Sequence, residues 1–83
     1  MNNNPPADLK ELVAFIAQHL VDHPDEVHVS EARQAGGIVL EVHVAPDDMG
    51  RVIGKGGKVA NDIRALVRVA AGRQNKRATV EIV

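Results

Sequence analysis

The sequence contains no cysteine, no tryptophan and no tyrosine, and its one aromatic residue is Phe15. Without cysteine there can be no disulfide staple, no thiolate nucleophile and no cysteine-ligated zinc, and a reducing cytoplasm is the expected compartment. No apolar run approaches the ~20 residues that cross a bilayer, which excludes a transmembrane helix. The opening MNNNPPADLKE lacks the basic region and apolar stretch of a secretory signal.

What is present describes one small domain. Eighty-three residues leave no room for a second core, and a hydrophobic share of 45% argues against disorder. The net charge of −1 conceals a strong polarity. Residues 1–50 carry two basic side chains against nine acidic ones, a balance of −7; residues 51–83 carry eight against two, a balance of +6. This division suits a cationic surface facing an anionic partner, although a solvated helix face accounts for charge alone equally well.

Residues 1–6 read as a disordered tail and 7–83 as the domain. Asp8, or the prolines before it, can start a helix with Leu9, Leu12, Val13, Ile16 and Leu20 on one stripe, and Asp22-His23-Pro24 ends it. Val27 and Val29 alternate with polar residues as in a strand. Gln34–Gly37 is a turn, and Ile38, Leu40, Val42 and Val44 form a second strand with one buried face. The hairpin register stays open, because Glu31 and Arg33 fall on the apolar parity. The expected open face holds His28, Ser30, Val39, Glu41, His43, Thr79 and Glu81. Ala45-Pro46-Asp47-Asp48 breaks the strand and starts a short helix through Ile53. A long helix follows from Lys58 with Val59, Ile63, Leu66, Val67 and Ala70 inward, and Gly72 is its expected C-cap. Ala78, Val80 and Ile82 mark a last strand.

Gly54-Lys55-Gly56-Gly57 lies between the two later helices. Glycine admits positive φ and lets a backbone come close to a ligand, and the N-terminus of the long helix favours an anion. Lys55 and Lys58 add full charges, with Arg51 one turn earlier. Together they describe a phosphate clamp; a tight helix–turn–helix corner is the plainer alternative. A Walker A loop is rejected, since three residues rather than four separate Gly50 from Gly54 and no Ser or Thr follows Lys55. A dinucleotide fingerprint is rejected because Val59 occupies its third glycine position.

The stretch Gly50-Arg51-Val52-Ile53-Gly54-Lys55-Gly56-Gly57-Lys58-Val59-Ala60, followed by Ile63-Arg64-Ala65-Leu66-Val67, closely resembles the small bacterial KH-domain proteins of the KhpA type. The resemblance implies an α+β fold of the type II KH arrangement, α-β-β-α-α-β, with a three-stranded mixed sheet covered on one face by helices. It implies that Gly54, Lys55, Gly56 and Gly57 grip the backbone of about four unpaired RNA nucleotides. Arg51, Val52, Ile53, Lys58 and Arg64 would border the groove, although Val52 and Ile53 fit a core role equally well. With Phe15 alone in the first helix, stacking of bases on aromatic rings is not expected. The resemblance further implies an RNA chaperone or post-transcriptional regulator tied to bacterial cell elongation and division. It also implies a homodimer, or a heterodimer with a KhpB (Jag-like) protein, and Ala65 and Val69 point away from the expected core as candidate interface residues. An interaction subunit with RNA binding secondary is the alternative reading.

Nothing else carries chemistry. His19 and His23 are four apart but lack further ligands for a metal. Ser30 has no triad partner, and Asp47-Asp48 reads as a helix start. No enzyme activity, cofactor, metal, membrane contact or small-molecule substrate is expected.

Overall fold

The computed structural model describes residues 8–83; the expected tail, with its prolines, lies outside the described residues. Helix α1 spans Leu9–Leu20. Its N-cap is Asp8, whose side chain accepts the Lys10 N–H at 2.8 Å, a cap worth about 1 kcal/mol. Leu9, Val13 and Ala17 are its buried residues. Phe15 stands exposed on the opposite side, its ring 4.3 Å from that of His19.

Strands β1 (His28–Gln34) and β2 (Gly37–His43) form the expected hairpin. Pairing runs from His28↔His43 to Gln34↔Gly37, leaving Ala35 and Gly36 as the turn. This register sets Glu31 beside Leu40 and Arg33 beside Ile38 on the parity that faces the helices. Both charged residues are nonetheless exposed, because the helical layer covers β2 and not the far half of the edge strand β1. Strand β3 (Ala78–Ile82) pairs parallel with β2, from Ile38↔Ala78 to Val42↔Ile82, giving the order β1-β2-β3.

Helices α2 (Met49–Ile53) and α3 (Lys58–Arg73) make the crossover between the parallel strands. The element order and mixed sheet are those of the type II KH arrangement. Leu40, Val42 and Val80 from the sheet meet Leu9, Val13, Val52, Ile63, Val67 and Ala71 from the helices in one core.

Three expectations are corrected. Val39 belongs to the open face by parity but is only 8% exposed. It occupies the central strand between Ala32 and Thr79, and cross-strand neighbours on both sides cover it. Leu66 is 55% exposed. The inward stripe of α3 is Ala60, Ile63, Val67 and Ala71; it is narrow, and position 66 falls behind it. Gly72 does not cap α3. The helix continues to Arg73, and Asn75 takes the left-handed conformation at φ 56°. The Asn75 N–H then bonds Gly72 O at 3.1 Å and the Lys76 N–H bonds Ala71 O at 2.9 Å, which is the Schellman arrangement.

Asp48 has a larger role than starting a helix. Among the described residues it is the one polar residue with a buried side chain, 1% exposed, and it makes no cap bond to α2. Its carboxylate instead accepts the backbone N–H groups of Asp22 (3.1 Å) and His23 (3.0 Å). It also accepts from His23 Nδ1 at 3.1 Å; an ionised carboxylate only accepts, so Nδ1 carries the proton. These bonds tie the segment after α1 to the start of α2. Burial alone would raise the Asp48 carboxyl, but the three donors hold it below its ordinary 3.8. The bond to Asp48, then the charge of that group, raises His23 above its ordinary 6.5.

Two outcomes follow for stability. The His23 contribution is complete below pH 6.5 and is lost as pH rises through the raised value; that of Asp48 is lost as pH falls through its lowered one. The urea midpoint should therefore peak between those limits and decline toward pH 8, and His23→Gln should abolish the alkaline decline. A decline that persists in the variant contradicts this assignment. Gly72 is exposed, and a Cβ there meets nothing within 4 Å, so Gly72→Ala should stabilise the fold by roughly 0.5–1 kcal/mol in urea titration.

Candidate nucleic-acid interface

Helix α2 stops at Gly54, whose N–H bonds Gly50 O at 2.9 Å while its backbone turns to φ 76°, ψ 170°. A Cβ at this position would lie 2.5 Å from Val59 Cγ2. Both the dihedral and the contact demand glycine. Gly56 (φ 63°) and Gly57 (φ 79°) continue the turn, and the Gly57 N–H closes on Gly54 O at 3.1 Å. Three of four consecutive residues thus adopt positive φ.

The outer surface of this turn is bare. A Cβ on Gly56 would meet nothing within 4 Å, and one on Gly57 only Asn61 Nδ2 at 4.0 Å. No side chain caps α3 at Gly57. The loop therefore sets backbone uncovered by side chains at the positive end of a 16-residue helix.

The charged residues expected at the site differ in how free they are. Lys55 is exposed and forms no ion pair among the described residues. Lys58 reaches Asp62 at 3.0 Å, with both side chains largely exposed. Such a pair is worth under about 1 kcal/mol, so an incoming phosphate can compete for the lysine. Arg51 turns toward the Asp48 anchor: its guanidinium lies 3.0 Å from Asp22 Oδ2 and 3.8 Å from Asp48 Oδ1. Arg64 is half-buried. Its Nε donates to Val80 O at 3.1 Å and its Nη1 to Asn61 Oδ1 at 3.1 Å, so it spans the gap between α3 and the free edge of β3.

Of the two aliphatic candidates, Val52 is 1% exposed and lies in the core, where it seats α2, while Ile53 is 38% exposed beside the loop. The structure thus brings Ile53, the four loop residues and Lys58 onto one surface, with Arg64 about 9 Å further along α3 at 1.5 Å per residue. It holds Arg51 toward Asp22 and turns Val52 inward. Asn61, which orients Arg64, and Asp48, which anchors α2, were not anticipated. The one signal for Asn61 is its place four residues after Gly57.

Sequence comparison with known proteins identifies the family. The sequence profile of the family described as KhpA/KhpB, KH domain, matches residues 10–82. The chain is 51% identical over 75 residues to the RNA-binding protein KhpA of Clostridium perfringens, covering 90% of this chain and 100% of that one. It is 52% identical over 75 residues to the protein of the same name from Clostridium acetobutylicum, with the same coverage. To that from Chlamydia trachomatis it is 40% identical over 74 residues, covering 89% of this chain and 95% of the relative. A match spanning all but the ends of the described fold, and including the glycine turn, establishes that the chain belongs to the KhpA/KhpB family of KH domains.

Proposed function

We propose that this chain binds single-stranded RNA without catalysing a reaction, and that Gly54–Gly57 holds the sugar–phosphate backbone. The observation that carries the reading is the turn left bare of side chains at Gly56 and Gly57 beside exposed Lys55, which forms no ion pair among the described residues. It is supported by the relatives, which are named as RNA-binding proteins.

In this mechanism phosphates approach the loop amides, because no Cβ intervenes at Gly56 or Gly57. Lys55 and Lys58 neutralise the backbone charge. Ile53 offers an apolar surface to a base, and Arg64, already fixed at two of its donors, directs the remaining ones toward the groove. Arg51 joins only by leaving Asp22. Phe15 lies on α1 and does not belong to the loop surface, so recognition rests on phosphate contacts, aliphatic packing and hydrogen bonds, with loose sequence preference. In the cell this corresponds to an RNA chaperone or post-transcriptional regulator acting in the cytoplasm, with the link to cell elongation and division following from the family resemblance.

A second surface favours a partner. Ala65, Leu66 and Val69 lie together on the outer side of α3, and the latter two are 55% and 59% exposed. Two large apolar side chains on one helix face suit a self-complementary contact with a second copy or with a KhpB-type partner.

Two experiments separate these roles. Lys55→Asp with Gly56→Asp should keep the fold, since aspartate tolerates the left-handed conformation better than most residues. It should weaken binding of a short unpaired RNA at least about tenfold, the scale of one lost charge-assisted hydrogen bond. Unchanged affinity in fluorescence anisotropy removes the clamp. Leu66→Asp with Val69→Asp should halve the sedimentation mass of a dimeric protein and leave RNA affinity in place; an unaltered dimer removes the α3 interface.

A further inference from the structure

Four of the six remaining basic residues gather at the end of α3 away from the glycine turn. Two shallow hollows of about 350 and 370 Å³ lie there and share Lys76 and Arg77 in their walls. One extends over the hairpin turn to Arg33, the other along α3 to Arg68. Four cations from three separate parts of the chain therefore border two hollows that share a wall. The Ile38 N–H to Arg77 O bond at 2.9 Å holds the α3–β3 connection against the hairpin, and the Lys76 N–H to Ala71 O bond holds it against α3.

Among the described residues, no carboxylate comes within ion-pair distance of any of the four. Like charges gathered without counter-ions oppose folding. The negative end of the α3 dipole offsets this for a cation in or beside the last turn, but Arg33 comes from the hairpin and Arg68 stands more than a turn before the helix end. Arg68 also lies four residues after Arg64, on the same side of α3. A line of positive charge thus runs from the glycine turn through Arg64 and Arg68 to Lys76, Arg77 and Arg33.

We propose that Arg33, Arg68, Lys76 and Arg77 form a second phosphate-contact surface that holds the flanking portion of the same RNA strand. This rests on the reading of the glycine turn as an RNA contact. Guanidinium groups bind phosphate oxygens through paired N–H donors. Fifteen helical rises separate the two ends of α3, about 22 Å, which a strand stacked at about 3.4 Å per nucleotide crosses in roughly six nucleotides. The full site then takes about ten nucleotides, of which the turn holds four.

The test compares oligouridines of four and twelve nucleotides on the wild type, on the loop variant above, and on a variant with Arg33, Arg68, Lys76 and Arg77 each changed to Gln. The wild type should bind the twelve-mer more tightly than the four-mer, with a log–log salt slope steeper by roughly 0.7 for each added phosphate contact. The glutamine variant should bind the four-mer as the wild type does, lose at least tenfold on the twelve-mer, and show equal slopes for both. If its twelve-mer affinity and slope match the wild type, the second surface is refuted while the loop reading stands. If the loop variant retains four-mer binding, the loop reading itself fails. If the four cations govern adhesion to phosphatidylserine vesicles and leave twelve-mer binding untouched, they serve a membrane surface and the inference is overturned.

Discussion

The approach of Val59 to the backbone of Gly54 sets the relation between α2 and α3. Any side chain at Gly54 would drive the two helices apart, because its first carbon would fall 2.5 Å from a Val59 methyl group. With the contact intact, Val52 on one side and Ala60 and Ile63 on the other enter the core. The turn between them is then forced through two more positive-φ glycines. The same contact that closes the helical corner strips side chains from its outer surface. Packing and ligand access thus share one cause, and the corner is at once a structural joint and an exposed peptide surface.

A second anchor works at the other end of α2. Asp48 trades the usual helix-capping role for bonds to the chain segment after α1. A buried carboxylate with no donors would be costly, and here backbone and imidazole donors supply them. The acidic group so formed, with Asp22, also holds Arg51 on the side of α2. The acidic first half of the chain therefore does more than counterbalance the basic second half, since it selects which cation is turned from the loop surface.

Much of this was legible in the sequence. The element order and the glycine turn follow from alternation, helical spacing and breakers, which act locally, whereas the parallel pair came only as what the family resemblance implies. Failures arose where tertiary context decided. Leu66 looks like core by composition, but α3 meets the sheet through a stripe just wide enough for Ala60, Ile63, Val67 and Ala71. Val39 has the parity of a solvent-facing residue and is covered only because its strand is central. Gly72 carries the composition of a cap, yet Asn75 supplies the left-handed residue three positions later. Asp48 reads in the sequence only as a helix start, because the partners that give it its anchoring role, Asp22 and His23, are about 25 residues away. The site was legible as a motif, but the difference between Lys55, free, and Arg51, engaged, appears only when the fold brings Asp22 alongside.

Arg64 also bears on the free edge of the sheet. Strand β3 borders the sheet, and unsatisfied carbonyls along such a border invite another extended chain to zip on as a fourth strand. The Arg64 side chain occupies one of them, Val80 O, from above. A bulky, permanently charged group lying across the rim makes that kind of accretion both sterically and electrostatically unfavourable. The arginine proposed to border the RNA would thus also hinder the protein from polymerising with itself.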